Sequence, residues 1–170
     1  MQNINFSAVV QYFETLARQH TSILHSDTRK AFFRLELDEV VEGLRNNICF
    51  PVIILEGYDL NFKDNKSDNL VKQRGSAFVI VDKARRGDFD AIHEVYDRME
   101  QIGDDVLTRM RHDKFLRQSP VRDFDLNNVD GSLIGWPIDS NLYGIRYTFT
   151  IDSAFPSDID PDRWNITPIE

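Results

Sequence analysis

Tyr143-Gly144-Ile145-Arg146-Tyr147-Thr148-Phe149-Thr150-Ile151 is the stretch on which the fold class turns. Every second side chain, Tyr143, Ile145, Tyr147, Phe149 and Ile151, is large and apolar, whereas Arg146, Thr148, Thr150 and Asp152 fall on the opposite side. A period of two is that of a β-strand with one face on a core and the other wet or against a partner. Such a strand needs neighbours, and the chain offers them upstream. Pro51 opens Val52-Ile53-Ile54-Leu55, whose unbroken β-branched apolarity reads as a buried strand. The same strand is expected to continue to Phe62, with Tyr58, Leu60 and Phe62 on one face and Asp59 and Asn61 on the other, as in an exposed hairpin arm. Gly75-Ser76-Ala77-Phe78-Val79-Ile80-Val81 predicts a second buried strand, antiparallel to the first. Between them, the segment from Lys63 to Arg74 has no apolar period and many turn formers, and it reads as a surface loop of the kind that carries contacts.

Two helices are written at a different period. From Asn5 to Thr21, Phe6, Val9, Val10, Phe13, Leu16 and Ala17 recur every three or four residues, which predicts an amphipathic helix with Gln11, Glu14, Arg18 and Gln19 on its wet side. After a cap at Asp88 or Asp90, Phe89, Ile92, Val95, Tyr96, Met99, Ile102, Val106, Leu107 and Met110 define a long helix to about His112. Gly103 within it permits a close approach to the sheet, against a helix-propensity cost of roughly 1 kcal/mol relative to alanine. Shorter elements complete the pattern. Ala31 to Leu37 predicts a strand, followed by a helical turn capped by Asp38 through Val40, Val41 and Leu44, with Glu39 near its positive end. Beyond Pro120, Val121 to Leu126 predicts a strand, Asp130-Gly131 a hairpin turn, and Ser132 to Trp136 a returning strand that Pro137 stops.

The resulting class is α+β: an antiparallel or mixed sheet packed by one long helix and an N-terminal amphipathic helix. Residues 1–152 form one domain, consistent with a chain of 170 residues. Residues 153–170 read as an extended tail or strap, in which Phe155, Ile159, Trp164, Ile166 and Ile169 are apolar anchors that need burial on this domain or a neighbour.

Composition excludes several classes of function. Asp and Glu total 28 against 20 Lys and Arg, and a net charge of −8 repels nucleic-acid backbones unless the basic groups cluster. The densest cluster, Lys83-Ala84-Arg85-Arg86, is flanked by Asp82, Asp88 and Asp90 and reads as a solvated turn. Cys49 is the only cysteine, so no internal disulfide forms, which fits a reducing compartment. Met1-Gln2-Asn3-Ile4-Asn5-Phe6 has no basic segment followed by an apolar run, and no stretch approaches the roughly 18 apolar residues of a membrane span. Synthesis in the cytoplasm is the expectation.

No residue constellation carries evident chemistry, so no catalytic, cofactor or metal residue is expected. His93 and Asp97 stand four apart on the long helix with Glu94 beside them, but two ligands without a third read as a polar surface pair. His20 and His25 straddle the end of the first helix, where histidine suits the negative terminus. A metal-dependent nuclease would draw on Glu56, Asp59, Asp82 and Lys83, but Asp82 and Lys83 are adjacent and point to opposite faces of a strand. Cys49, beside Phe50 and Pro51 with no histidine near it in sequence, reads as structural, and Asp104-Asp105 as a solvated helix face. Phosphate-binding glycine loops and the Gly-x-Ser-x-Gly elbow are absent from the sequence.

The order of elements over residues 5–152 is an amphipathic helix, a β-hairpin with a long polar loop, a long helix and antiparallel strands ending in Tyr143 to Ile151. That order is similar to the layout of the small tail-completion, tail-terminator and neck proteins of tailed bacteriophages. The likeness lies in arrangement, not in a short motif, and residues 31–47 and 153–170 stand outside it. It implies a non-enzymatic virion subunit with no cofactor, forming a homo-oligomeric ring, commonly six-fold, at the head–tail neck or tail end. Sheets would meet around a channel through which DNA passes without sequence-specific binding, next to tail-tube or connector proteins, and the subunit would be synthesised in the bacterial cytoplasm and end in the assembled virion. An acidic chain suits such a channel. The candidate contact residues are Lys63, Lys66, Lys72 and Arg74 of the loop, Arg146 on the wet face, and Phe155, Ile159, Trp164 and Ile166 of the tail. Two alternatives stand beside this: a small adaptor that uses the 63–74 loop and the tail, and a metal-dependent hydrolase or nuclease using Glu56, Asp59 and Asp82.

Overall fold

A computed structural model describes residues 4–35, 48–64, 66, 70–136, 141–156 and 159–164. The helical turn expected from Asp38 to Leu44, the end of the first strand at Leu37, and the anchors Ile166 and Ile169 lie outside the described residues. Among those described, two α-helices pack against a six-stranded mixed sheet, as the α+β reading requires. The chain runs α1 (Phe6–Gln19), β1 (Lys30–Leu35), β2 (Ile48–Glu56), β3 (Asp59–Lys63), β4 (Val71–Lys83), α2 (Phe89–Phe115), β5 (Asp130–Trp136) and β6 (Leu142–Ala154).

Local chemistry sets the helix limits. The Asn5 side chain accepts the Ala8 N–H at 2.9 Å, which starts α1 and satisfies an otherwise orphaned donor. Asp88 does the same for Ala91 at 3.1 Å, so it, not Asp90, caps α2. The long helix continues one turn past His112 and ends where Arg117 turns left-handed, at φ 53°. At 1.5 Å per residue its 27 residues span roughly 40 Å, enough to cross the sheet. Phe89, which the spacing assigns to the apolar stripe, is exposed at the first turn, and the stripe proper begins at Ile92.

The strands lie in the order β1-β2-β4-β6-β5, with β3 continuing the line of β2 beside the first half of β4. β1 runs parallel to β2, and every other pairing is antiparallel. The expected pairing of the Pro51 strand with the Gly75 strand is present, with Val52 beside Val81 and Leu55 beside Phe78. Both helices lie on one face. There Phe13 meets Phe78 and Phe149 at ring-centroid distances of 5.5 and 5.3 Å, and Phe78 stacks on Tyr147 at 5.2 Å. Aromatic pairs at these separations add about 0.5–1.5 kcal/mol each beyond their area. A Cβ on Gly103 would lie 2.2 Å from Tyr147 Cε2, so the glycine is what lets α2 settle onto that ring. On the opposite face, Val52, Ile54, Val79 and Val81 form a second, smaller buried cluster with Phe33, Ile48, Phe50 and Ile134 packed against it.

Four boundaries differ from the sequence reading. The Pro51 run is two strands, since β2 begins at Ile48 and breaks at Gly57-Tyr58 before β3. The 63–74 loop is shorter than its composition implies: Lys63 ends β3, while Lys72 and Arg74 lie within β4, whose main chain pairs with β3 and β6 and needs no apolar side chains to form a ladder. Val121 to Leu126 is not a strand. It forms the 3-10 turns Val121–Asp123 and Leu126–Asn128, because Val121 and Phe124 plug the core between α2 and β6, and only Phe124 bridges to Ile151. Asp130-Gly131 is not a hairpin turn but the start of β5, where Gly131 leaves room for the Tyr147 ring.

Candidate interaction surface

The expected contact residues separate into three places. Lys63 and Lys72 belong to an arm formed by β3, the first half of β4 and the end of β6. Lys66 is exposed in the turn at the arm's tip, with φ 61°. Lys72 Nζ sits 5.7 Å from the centroid of the Phe62 ring, and Phe62 meets Phe155 edge-on at 5.1 Å. The arm therefore joins the first tail anchor, Phe155, to the hairpin. Ile159 and Trp164 are exposed, and the Ile166 call lies outside the described residues.

Arg74 is elsewhere in character. Only 3% exposed, it faces the helices and donates to Ser153 Oγ at 2.7 Å and to the Ile4 carbonyl, with its guanidinium 5.8 Å from the Tyr58 ring centroid. Its Nε reaches no acceptor among the described residues. This side chain ties the arm to the start of α1 and is not presented to a partner. Alternation along β4 places Arg74 on the same face as Phe78 and Ile80, a signal that the polar composition of the segment hides.

Arg146 lies on the face away from the helices, in a bidentate pair with Glu56, both contacts 2.7 Å. Hydrogen bonding to that carboxylate raises the guanidinium's already high pKa. Around the pair is a shallow groove of about 360 Å³ lined by Glu56, Asp59, Ser76, Asp130, Arg146 and Thr148. Thr148, Thr150 and Asp152 are half-buried along the same row, as their alternation in the sequence predicts. The face away from α1 and α2 is thus apolar toward β1 and short, hydroxylated and charge-paired toward the arm.

The nuclease candidates do not converge. Asp59 and Glu56 share the groove, but Glu56 is held by Arg146. Glu56 follows Leu55, which pairs with Phe78, so Asp82 lies about five strand positions, roughly 17 Å, further along β4. Asp82 is engaged there by Arg98 and by the Lys83 N–H. Among the described residues no three metal-capable side chains stand together. His93 and Asp97 are both exposed on α2. His20 Nε2 contacts Asp105 at 3.3 Å, and His25 Nδ1 accepts the Ala31 N–H at 3.1 Å. Burial first, and then the Arg18 charge, lowers the pKa of His25, which matches a ring that must stay neutral to accept that bond.

One buried polar group escaped the sequence reading. Asp113, three residues beyond Met110 on the apolar stripe of α2, is buried and joins the two helices. It accepts from Tyr12 Oη at 2.9 Å and from Arg109 Nε at 2.9 and 3.0 Å. Burial alone would push its carboxyl up, but the hydrogen bonds from Arg109, Tyr12 and His112 outweigh it and hold the pKa below its ordinary value. Burial and the hydrogen bond to this anion in turn raise the Tyr12 phenol. Tyr147, under α2 beside Asp104, is pushed up to about 12, by burial first. A charged residue at a stripe position was the available signal.

The chain matches none of the known protein-family models and no curated protein. No helix among the described residues is long and apolar enough to cross a membrane.

Proposed function

We propose that this chain is a structural subunit of a phage or phage-like particle that assembles into a ring at the head–tail neck or the tail end. The observation that carries this reading is the polar, charge-paired half of the sheet face that lies away from the two described helices. Both described helices pack on one face, while the other presents Thr148, Thr150 and a neutralised Glu56–Arg146 pair toward the arm. Short hydroxyl side chains and a self-paired charge on a protein of net charge −8 make a surface over which a polyanion slides without being held. β1 and β5, at opposite ends of the strand order, each pair on one side only among the described residues, so the edge of one copy can meet the other edge of the next. The exposed arm and the exposed Ile159 and Trp164 supply apolar surface for neighbours above or below such a ring.

Light scattering on the eluting full chain, followed by negative-stain microscopy, tests the reading. Closed rings, alone or when purified tail-tube or connector proteins are added, are the expected result. A chain that stays monomeric and joins neither kind of protein overturns it. The adaptor alternative draws on the same arm and tail, and a one-to-one complex with a single partner would favour it.

A further inference from the structure

We propose that the edge of β3 away from β4 is a twofold interface at which two copies of this chain pair Asp59–Lys63 antiparallel about Asn61. Among the described residues β3 pairs only with β4, and all of its side chains are exposed. Leu60 is 46% and Phe62 55% exposed, next to Phe155 at 40%. A strand edge of this kind carries unpaired N–H and C=O groups and invites a further strand. Asp59-Leu60-Asn61-Phe62-Lys63 has no proline, its register against β4 is unbroken, and its charges stand only at the ends.

Those five residues complement themselves. Antiparallel pairing centred on Asn61 sets Asp59 opposite Lys63 of the second copy and Leu60 opposite Phe62 of the second copy, each relation occurring twice. The faces also agree. Leu60 and Phe62 pair with Arg74 and Lys72, which places them on the helix side of the sheet, where Phe62 meets Phe155. Asp59, Asn61 and Lys63 lie on the other side. Two ion pairs would then close one face, and Leu60, Phe62 and Phe155 from each copy would close the other as a small apolar cluster. Moving the centre to Leu60 or Phe62 loses both ion pairs, and parallel in-register pairing sets like charges side by side. The second copy is the occupant that fits.

This contact is isologous, whereas a ring needs a heterologous one, so the inference stands apart from the ring reading. Where both hold, two rings meet face to face. The test uses the full chain in sedimentation and light scattering over a wide concentration range. Wild type is expected to form an even-numbered species. Asp59→Lys or Lys63→Asp alone should halve its mass, and the double exchange should restore it. In a Cys49→Ser background, Asn61→Cys should cross-link to itself on mild oxidation, since opposed antiparallel residues lie within disulfide reach at about 4.5–5.5 Å between Cα atoms. Lys66→Cys should not. A wild type that is monomeric or odd-numbered at every concentration, or a mass that both single reversals leave unchanged, overturns the proposal. So does an Asn61→Cys chain that does not cross-link. Loss of the ring with the twofold species intact rejects only the ring reading, and a single ring indifferent to Asp59→Lys rejects only the pairing.

Discussion

Between Ala77 and Val81, β4 is buried on both faces, whereas between Val71 and Gly75 the same strand is half-exposed, with Arg74 as its one buried side chain. In the body half, Phe78 and Ile80 meet the helices while Val79 and Val81 meet the second cluster. In the arm half, β3 and the end of β6 continue the ladder, and every side chain of β3 is exposed. The difference teaches that backbone pairing carries a strand well past the point where a core supports it. What lies beyond that point leaves more of its side chains in water, so truncations there are expected to cost the monomer less.

The largest contrast is expected from truncating one ring in each half. Phe78→Ala removes a fully buried ring that touches Phe13, Tyr147 and Phe149, and should cost about 3–5 kcal/mol in urea unfolding. Phe62→Ala, with more than half its surface already in water, should cost under about 1 kcal/mol in dilute solution. Comparable losses at both sites would mean that the arm is part of the core.

Glycines sharpen the same comparison. A Cβ on Gly144, beside Val81 in the body half, would lie 1.9 Å from the Ile80 carbonyl oxygen, a backbone atom that cannot step aside. Gly144→Ala should lower stability by about 1–3 kcal/mol or more. Gly75, in the arm half, has open space where its Cβ would stand, so Gly75→Ala should leave stability unchanged or raise it by up to about 1 kcal/mol, measured by thermal unfolding.

Asp113 bears on the body alone. Asp113→Ala leaves Tyr12 and Arg109 without their acceptor and should cost about 1–3 kcal/mol. Its folded pKa lies below the ordinary value, so its contribution is complete above about pH 4 and is lost as pH falls through that lower folded value. Urea unfolding from neutral to acid pH should show a steeper acid decline in wild type than in Asp113→Asn. The smallest effect is expected at Arg146. Its pair with Glu56 is more than a third exposed on both sides, so Arg146→Gln should change stability by under about 1 kcal/mol. A larger loss would make the face away from α1 and α2 structural instead of available.

Most of the elements were legible because their signals are local. Asn5 and Asp88 cap their helices, α1 buries Val9, Val10, Phe13, Leu16 and Ala17 as spaced, and β6 buries the alternate residues that opened the reading. The surface was less legible. Lys72 and Arg74 look like loop residues because a strand outside the core needs no apolar pattern, and Asp113 was passed over because charge on an apolar stripe is rare. Val121 to Leu126 does not form the expected strand, because its two core plugs, Val121 and Phe124, stand three apart, the period of a 3-10 turn and not the alternation of a strand.

The sequence by itself determined where helices start, which faces of α1, α2 and β6 turn inward, and that an α+β domain results, since caps and periodicities act over a few residues. Only the tertiary structure decided that β1 runs parallel to β2, that β6 lies between β4 and β5, that Arg74 is buried, and that Asp113 joins the helices. These depend on which distant residue supplies the other half of a hydrogen bond or a contact, and no short stretch of sequence names its partner. The chemical symmetry of Asp59 to Lys63 lies between the two: it is written in five adjacent residues, and only the fold shows that, among the described residues, their strand pairs on one side alone.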